Sequence, residues 1–492
     1  MAMALGATQA LAQGGVAPRP FILTPVLTVG QSFTDNGDPS AATKQADWVT
    51  TISPGVRLFS RTGSLVGSLD YALNANIHSR GTGGSDIQNA LAAAFVAEAI
   101  EKRAFVDVKA SISQQSISAY GVQSASNQQA NRNRTEVSTL SLTPFVRGNI
   151  AGVVDLDARA SYGRTHSKSS LALDSENSSA SVQASGRFGK LGWVADVGNQ
   201  TSNYESGRRT HTNRVGGGLT FAPDVDLRFS GRLGRESTDV INGRTEQNTT
   251  WGGGIDWTPT ERTLVNLQAD HRYFGTSRSV TLQHRLARSI FRFTDSQDAT
   301  TNSSGTTGPG TFTAYDLIFA QFASLEPDVV QRDVLVRNYL AANGISPSSG
   351  LGSGFLSSAV SLLHRQDASM ALQGQRSSVL LGVFRTETRR LDRLATGGDD
   401  LSRTSLLRQF GYNLTLAYRL TPTSTMNVGV LRQKTLDSGN FTGNDQRTLI
   451  ASLSDQIGLR TSVSLSLRHV TFDSVAFPYT ENGVAATLSM RF

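Results

Sequence analysis

Hydrophobic and polar residues alternate with a period of two along most of the chain. The alternation recurs in segments of about ten to fourteen residues, such as 154–162, 225–233 and 412–420. Segments of this kind are typical of β-strands with one apolar and one polar face. The pattern predicts about 22 strands, and roughly 20 to 24 are compatible with it.

The connections between these strands alternate in length. Tight turns near Arg61–Gly63 and Gly189–Lys190 are followed by longer polar segments such as 115–134 and 391–402. One connection on the long side, Gly275 to Ser277, is short. Short periplasmic turns and longer extracellular loops are typical of outer-membrane barrels. The fold class that we predict is therefore all-β, a transmembrane antiparallel β-barrel in the outer membrane of a Gram-negative bacterium.

Composition supports this prediction. The 492 residues include no Cys, carry a formal net charge of +7 and are only 38% hydrophobic. No stretch reaches the ~18 consecutive apolar residues of a membrane helix. In a barrel only alternate residues face lipid, so a hydrophobic fraction this low is expected. The lack of Cys excludes disulfides and thiolate metal sites.

The N-terminal residues suggest export. Residues 1–12 end in Ala10-Leu11-Ala12, which has the form of a processing site, and are interpreted as a signal-peptide remnant. A short disordered Ala-rich terminus is the alternative. Residues 13–20 are expected to form a short periplasmic segment, and residues 21–492 the barrel. An even number of strands places both termini in the periplasm.

Residues 299–360 interrupt the strand pattern. Apolar residues at helical spacing follow Thr311, Pro327 suits the first turn of a second helix, and Gly344 can cap its end. We expect a long extracellular loop with helices that acts as a lid or partial plug. A small subdomain on the rim is the alternative. The residues that predict these helices are Leu317, Ile318, Phe322, Leu325 and Pro327.

The C-terminus predicts how the barrel is assembled. Leu488, Met490 and Phe492 alternate with small or polar residues and resemble the strand that the barrel-assembly machinery recognises. An ordinary last strand is the alternative. The expected partners are therefore this machinery, outer-membrane lipid and lipopolysaccharide. A barrel gives no support for nucleic acid as a partner, although the chain is basic.

The predicted lumen is mixed in charge and leans basic. The acids on the inward faces are Asp107, Asp155, Asp157, Asp226 and Asp270. A basic excess favours anions in a water-filled pore. Arg–Asp pairs that select nothing are the alternative. The basic residues that the alternation points inward are Lys109, Arg159, Arg187, Arg228, Arg232, Arg272, Arg419 and Arg491.

The sequence contains no recognisable catalytic or cofactor motif. The seven His are scattered without metal-ligand spacing, and no nucleophile elbow is found. We therefore predict a non-enzyme without a cofactor, and an active site assembled across strands is the alternative. A receptor with a plug domain needs a large folded domain before the first strand, whereas strands begin by about Phe21.

Several segments of the chain together carry a family resemblance, namely Asp47–Val56, Leu69–Leu73, Ser111–Gly121, Tyr315–Gln321 and Leu340–Ile345. With these segments the chain resembles the uncharacterised outer-membrane proteins associated with PEP-CTERM/exosortase systems. The resemblance covers nearly the whole mature chain, and its most specific part is Gln114-Gln115-Ser116-Ile117-Ser118. It implies a role in exporting or organising a surface polysaccharide, with polysaccharide export or biosynthesis proteins as partners, and it supplies no functional residues.

The expected function is a passive outer-membrane conduit for exopolysaccharide or a related surface polymer. The barrel is predicted from the alternation and the loops, whereas the cargo is implied only by the resemblance. Two alternatives stay open. One is a general diffusion porin that favours anions, and the other is a non-conducting structural or adhesive scaffold.

Overall fold

The computed structural model describes residues 21–41, 43–80, 86–129, 131–169, 174–205, 208–301, 315, 318–319, 332, 336, 355–357, 359–394 and 398–492. The strands are β1 (Phe21–Thr34), β2 (Asp47–Arg61), β3 (Leu65–His78), β4 (Asp86–Ile100), β5 (Ala104–Ser116), β6 (Arg134–Ile150), β7 (Val154–Ser167), β8 (Ser175–Phe188), β9 (Leu191–Tyr204), β10 (Arg209–Asp224), β11 (Leu227–Thr238), β12 (Glu246–Thr260), β13 (Thr263–Arg272), β14 (Gly275–Arg285), β15 (Ser289–Thr300), β16 (Ser361–Gln373), β17 (Ser377–Arg390), β18 (Leu406–Arg419), β19 (Ser424–Thr435), β20 (Asn444–Gln456), β21 (Thr461–Ser474) and β22 (Tyr479–Arg491). A short helix, α1 (Asp400–Arg403), lies between β17 and β18.

The strands form one closed antiparallel sheet. Each strand pairs with its neighbours in sequence, and β1 also pairs with β22, from Val26 opposite Arg491 to Thr34 opposite Gly483. Closure leaves no sheet edge whose backbone N–H and C=O groups would lie unpaired in hydrocarbon. The predicted barrel is confirmed, with 22 strands.

The alternation along each strand separates a lipid face from a lumen face. Leu219, Leu233 and Trp251 are 70%, 69% and 60% exposed on the outside. Across the wall the outward residues lie opposite one another, as Leu233 does to Trp251. Because successive side chains of a strand point to opposite faces, the residues between them point into the lumen.

The two ends of the barrel differ in their connections. At one end the turns are tight, as at Gly189, whose φ of +60° suits a two-residue turn between β8 and β9. Both ends of the described chain lie there too. The longer connections, such as 117–133 between β5 and β6, lie at the other end. The tight end is therefore periplasmic and the other end extracellular.

One turn was predicted in the wrong place. The short extracellular connection between β13 and β14 consists of Tyr273 and Phe274 rather than Gly275 to Ser277. Tyr273 and Phe274 look like the continuation of a strand in the sequence. In the structure their rings meet edge to face, at 5.0 Å between centroids, and pack on a cluster of buried residues that includes Tyr204 and Val240.

Candidate functional site in the barrel lumen

The strand register places all eight basic residues listed above on the lumen side. Arg159, for example, lies opposite Phe145 and Ser181, while its neighbour Ala158 lies opposite the exposed Val146. Arg159 also stacks over the ring of Phe145, at 4.9 Å from its centroid. The structure therefore places these basic residues on the inward face of the barrel wall.

Four of the eight are held by acids. Lys109 pairs with Asp107 at 3.1 Å, Arg159 with Asp157 at 2.6 Å and Arg232 with Asp270 at 3.3 Å. Arg272 pairs with Glu236 and, at 2.8 Å, with Asp298. Charges that are paired in this way contribute little net field to the lumen. For these four residues the structure agrees with the alternative in which paired bases and acids in the lumen select neither anions nor cations.

The other four, Arg187, Arg228, Arg419 and Arg491, are here called the periplasmic arginines. Each lies within one residue of the periplasmic end of its strand. None has an ion pair or side-chain hydrogen bond with another residue that the structure describes. Arg228 lies opposite Asp256 in the described strand register, whereas Arg187, Arg419 and Arg491 have no acid opposite them there. Like charges at one rim that are not balanced by acids raise the local potential.

Further arginines lie beside two of them. The backbone N–H of Arg419 donates to the carbonyl of Arg376 at 2.7 Å, and that of Arg491 donates to the carbonyl of Arg460 at 2.9 Å. Arg376 and Arg460 belong to periplasmic turns, outside the strand faces for which the alternation predicts inward charge. Their position strengthens the positive character of the periplasmic rim.

A polar cavity of about 860 Å³ lies against β7–β12, which we call the open wall. Small residues such as Ser181, Gly198 and Gly216 leave room on the inward face of this wall. Gly252 is required there, because a Cβ at this position would collide with Asp270. The charged residues that line the cavity are Arg159, Arg187, Arg214, Arg228, Arg232, Asp155, Asp157, Asp196 and Asp256.

The inward face of β15–β18, which we call the covered wall, is apolar near the periplasmic end. Ile290, Ala371, Leu380 and Ala417 are at most 5% exposed. They form one cluster with residues of the long loop, namely Tyr315, Ile318, Phe319 and Val336.

The positions of these residues along their strands show how deep the long loop reaches into the barrel. Ile290 is the second residue of β15 after the periplasmic turn, and Ala371 is the third residue counted from the periplasmic end of β16. Ile318 is 1% exposed and Val336 is fully buried. Residues of an extracellular loop therefore lie inside the barrel, near its periplasmic end.

The described residues of this loop are partly helical. Tyr315, Ile318, Phe319, Arg332 and Val336 have helical backbone, and the rings of Tyr315 and Phe319 stack at 5.5 Å between centroids. Leu317, Phe322, Leu325 and Pro327 lie outside the described residues, as do residues 1–20. The expected domain boundaries stay a prediction.

The extracellular mouth is crossed by the loop between β5 and β6. Both carboxylate oxygens of Asp400, in α1, accept hydrogen bonds at 2.7 Å from this loop, one from the Ser118 hydroxyl and one from the Ala119 N–H. Tyr120 of the loop stacks on Phe441 at 5.0 Å. Burial raises the pKa of the Asp400 carboxyl above its ordinary value.

A second crossing joins other loops. Arg208, between β9 and β10, pairs with the fully buried Asp392 at 2.9 Å. The N–H of Arg393 donates to Ile241 at 3.1 Å, and that of Leu391 donates to Val360 at 3.0 Å. Five connections therefore meet over the mouth in these contacts and those of Asp400.

The C-terminal strand has the predicted faces. Leu488 lies opposite Val29 and Met490 opposite Leu27 on the lipid side, and Phe492 is 62% exposed. This arrangement places the three residues of the proposed assembly signal on one apolar strip. Their recognition by the assembly machinery stays a prediction.

Several inward charges were missed by the sequence analysis. Arg468 pairs with Glu481 at 2.6 Å, and the buried Arg365 pairs with Asp367 at 2.7 Å. Both arginines lie on strands whose alternation could have identified them.

Among the described residues, no group of three His, Cys, Asp or Glu side chains could hold a metal ion. No helix in the described part of the chain is both long and apolar enough to span a membrane.

The closed 22-strand barrel, apolar outside and polar inside, defines a multi-pass outer-membrane β-barrel of a Gram-negative bacterium. Neither a protein-family model nor a curated protein matches the chain. Solved structures of similar fold include the siderophore receptor PirA from Pseudomonas aeruginosa, at 9% identity and a TM-score of 0.45, with 96% of this chain and 80% of that chain covered. Another is the FrpB iron transporter from Neisseria meningitidis, at 11% identity and a TM-score of 0.47, with 96% and 81% covered.

Proposed function

We propose that the protein is a gated outer-membrane conduit that exports an anionic exopolysaccharide or a related acidic surface polymer. The observation that carries the proposal is the set of periplasmic arginines, which have no acid partner among the described residues. A polyanion in the periplasm is attracted to such a rim. The side chains are spread over four strands, so each can bind the polymer weakly and release it, as conduction requires.

The open wall supplies the path in this proposal. Its cavity contains both signs of charge and many small residues, which suit a hydrated polymer with hydroxyl and carboxylate groups. The covered wall supplies the gate, because residues of the long loop are packed deep in the lumen there. The resemblance to proteins of exosortase systems favours a polysaccharide as the cargo.

Polymer-induced current blockade tests the proposal. Purified protein in a planar bilayer is exposed on its periplasmic side to an oligouronate and, separately, to a neutral dextran of equal length. We expect the oligouronate to interrupt the current and the dextran to do so far less often. The double variant R419Q/R491Q should lose most of these events. A matched control, R159Q/D157N, removes a paired charge of each sign and should keep them.

The cargo is tested in cells. Deleting the gene should abolish the surface polymer, and the wild-type gene should restore it. Unchanged surface polymer in the deletion strain contradicts the export role, and equal blockade by dextran and oligouronate contradicts the role of the arginines.

The contacts across the mouth favour a second candidate, a non-conducting scaffold. If the loops held by Asp392 and Asp400 stay closed, the protein presents an outer surface without transport. That candidate predicts no conductance even after the long loop has been removed from the lumen.

A further inference from the structure

The outward face of the barrel also carries charge, on the extracellular ends of β17–β20. These side chains lie on the same face as the lipid-exposed Val383, Tyr412 and Leu449. We call them the outer basic patch. They are Arg385, Arg389, Arg408, Arg432, Lys434 and Arg447.

The register brings these residues side by side. Arg432 lies directly opposite Tyr412 on β18 and Arg447 on β20, and Lys434 lies opposite Phe410, which is itself opposite Arg385. The patch is thus continuous across four strands. It borders the apolar strip directly, with Tyr412 and Phe410 as aromatic residues at the boundary.

The acids on these strand ends do not balance the patch. Asp445 pairs with Arg432 at 2.6 Å and with Arg447 at 3.2 Å, and Asp473 lies 3.5 Å from Arg447. Glu387 is the third acid of the same face. Six bases against three acids leave an excess of positive charge beside hydrocarbon.

The excess is concentrated in side chains without partners. Arg385, Arg389 and Lys434 form no ion pair or side-chain hydrogen bond with any other described residue. The Nε of Arg408 is buried and has no hydrogen-bond partner. Arginine and lysine side chains at a membrane surface attract the anionic headgroups of the lipids beside them.

We propose that the outer basic patch binds the phosphate groups of a phosphorylated glycolipid of the outer leaflet, of the lipid A type. Such a molecule meets both halves of the surface at once, since its acyl chains cover the apolar strip and its phosphates reach the basic side chains. Arginine forks bind phosphate oxygens in pairs. Asp445 holds Arg432 in place beside the unpaired charges.

Lipid binding to the purified full-length protein tests this proposal. Wild type and the variant R385Q/R408Q/K434Q are titrated in detergent with bisphosphorylated lipid A, and bound lipid is counted by native mass spectrometry. Each removed charge near a membrane surface is worth on the order of fivefold in affinity, so we expect a loss of about a hundredfold. The matched control R164Q/R209Q/R235Q removes three outward-facing bases from β7, β10 and β11 and should bind as wild type does.

Two further arms use the wild-type protein alone. Dephosphorylated lipid A should bind about as weakly as bisphosphorylated lipid A binds to the patch variant, and a large excess of inorganic phosphate should not displace bound lipid A. Equal affinity of wild type and patch variant overturns the proposal, as does equal affinity for the phosphorylated and dephosphorylated lipids. Phosphatidylglycerol binding as tightly as lipid A overturns the choice of a glycolipid. The heat-dependent gel mobility of a folded barrel shows that the variants fold.

Discussion

The open wall and the covered wall meet lipid in the same way and meet the lumen in different ways. Away from the extracellular strand ends, outward residues are mostly apolar on both, such as Val182 on β8 and Val383 on β17, which are 49% and 48% exposed. Inward, the open wall has small and charged residues around a cavity, whereas the covered wall is apolar and packed against the long loop. The membrane requires most outward residues of a strand to be apolar. The inward residues are not under this constraint, so they can form a path on the open wall and a gate on the covered wall.

The largest expected effect is on conductance. Residues 302–354 are replaced by a short Gly/Ser linker, which removes the loop residues from the covered wall. We expect single-channel conductance in a planar bilayer to rise several-fold, because the conducting cross-section widens. Replacement of 168–174, the connection between β7 and β8, serves as the control and should leave conductance unchanged. Equal conductance of both variants and wild type would show that the loop does not limit the path.

The second-largest effect is expected from one introduced carboxylate, which should act differently on the two walls. Ile318→Asp places a carboxylate in a buried apolar cluster, at a cost of several kcal/mol to the contact between loop and wall. We expect a higher mean current and faster protease cleavage within the loop. Ser181→Asp puts the same charge on the open wall, where water is present, and should leave protease cleavage of the loop unchanged. Resistance of the I318D loop to protease contradicts the packing described here.

Truncation on the covered wall should cost stability. Leu380→Ala removes a side chain that is 5% exposed, and such changes cost about 2–4 kcal/mol. Val194→Ala on the open wall is the control and should cost less than about 1 kcal/mol, because Val194 borders a cavity. Guanidinium unfolding of the barrel in lipid vesicles measures both. Equal losses in the two variants would remove the distinction between the walls.

Charge reversal on the open wall should change selectivity. R187E/R228E turns two unpaired bases of the cavity into acids, so the reversal potential in a salt gradient should shift from anions towards cations. The control R159Q/D157N leaves the net charge of the cavity unchanged and should keep the wild-type reversal potential. A reversal potential that stays constant in R187E/R228E places the conducting path elsewhere.

The smallest expected effect concerns the mouth. The pKa of Asp400 is raised in the folded loop, mainly by burial. A raised carboxyl pKa favours the folded loop most below the ordinary pKa, and this contribution is lost as the pH rises through the ordinary to the raised pKa. We therefore expect brief openings of the mouth to become rarer as the pH falls through that window. In Asp400→Asn this pH dependence should be absent, and its persistence would assign it to another group.

Much of the fold could be predicted from the sequence. The alternation of residues such as Leu488 and Met490 with small or polar neighbours identified the strands, and the rhythm of the loops identified the two ends. Together they predicted a barrel of about 22 strands, which the structure has. The inward position of the eight basic residues follows from the same alternation, because a strand has only two faces.

The pairing of those charges was beyond the sequence. Arg159 and Arg228 are both inward arginines near an aspartate in sequence, yet only Arg159 has an ion pair among the described residues. Asp157 lies two residues before Arg159 on the same strand, whereas Arg228 forms no ion pair within the described part of the chain although Asp256 lies directly opposite it on β12. Whether two such side chains meet depends on their conformations in the folded wall, which the alternation does not specify. The contact between Ser118 and Asp400 across the mouth could not be predicted from the sequence either, because the two residues are 282 positions apart in the chain.

The sequence by itself determined which side chains face lipid and which face the lumen, because the period of a strand is two and the membrane is apolar. Only the tertiary structure decided which lumen side chains are covered. Ile290 and Val194 are both apolar, inward and near the periplasmic end, but Ile290 is fully buried beneath Ile318 and Val336 whereas Val194 lines the cavity. The physical reason is that burial in the lumen depends on where a distant loop packs, and the local pattern of a strand contains no information on that position.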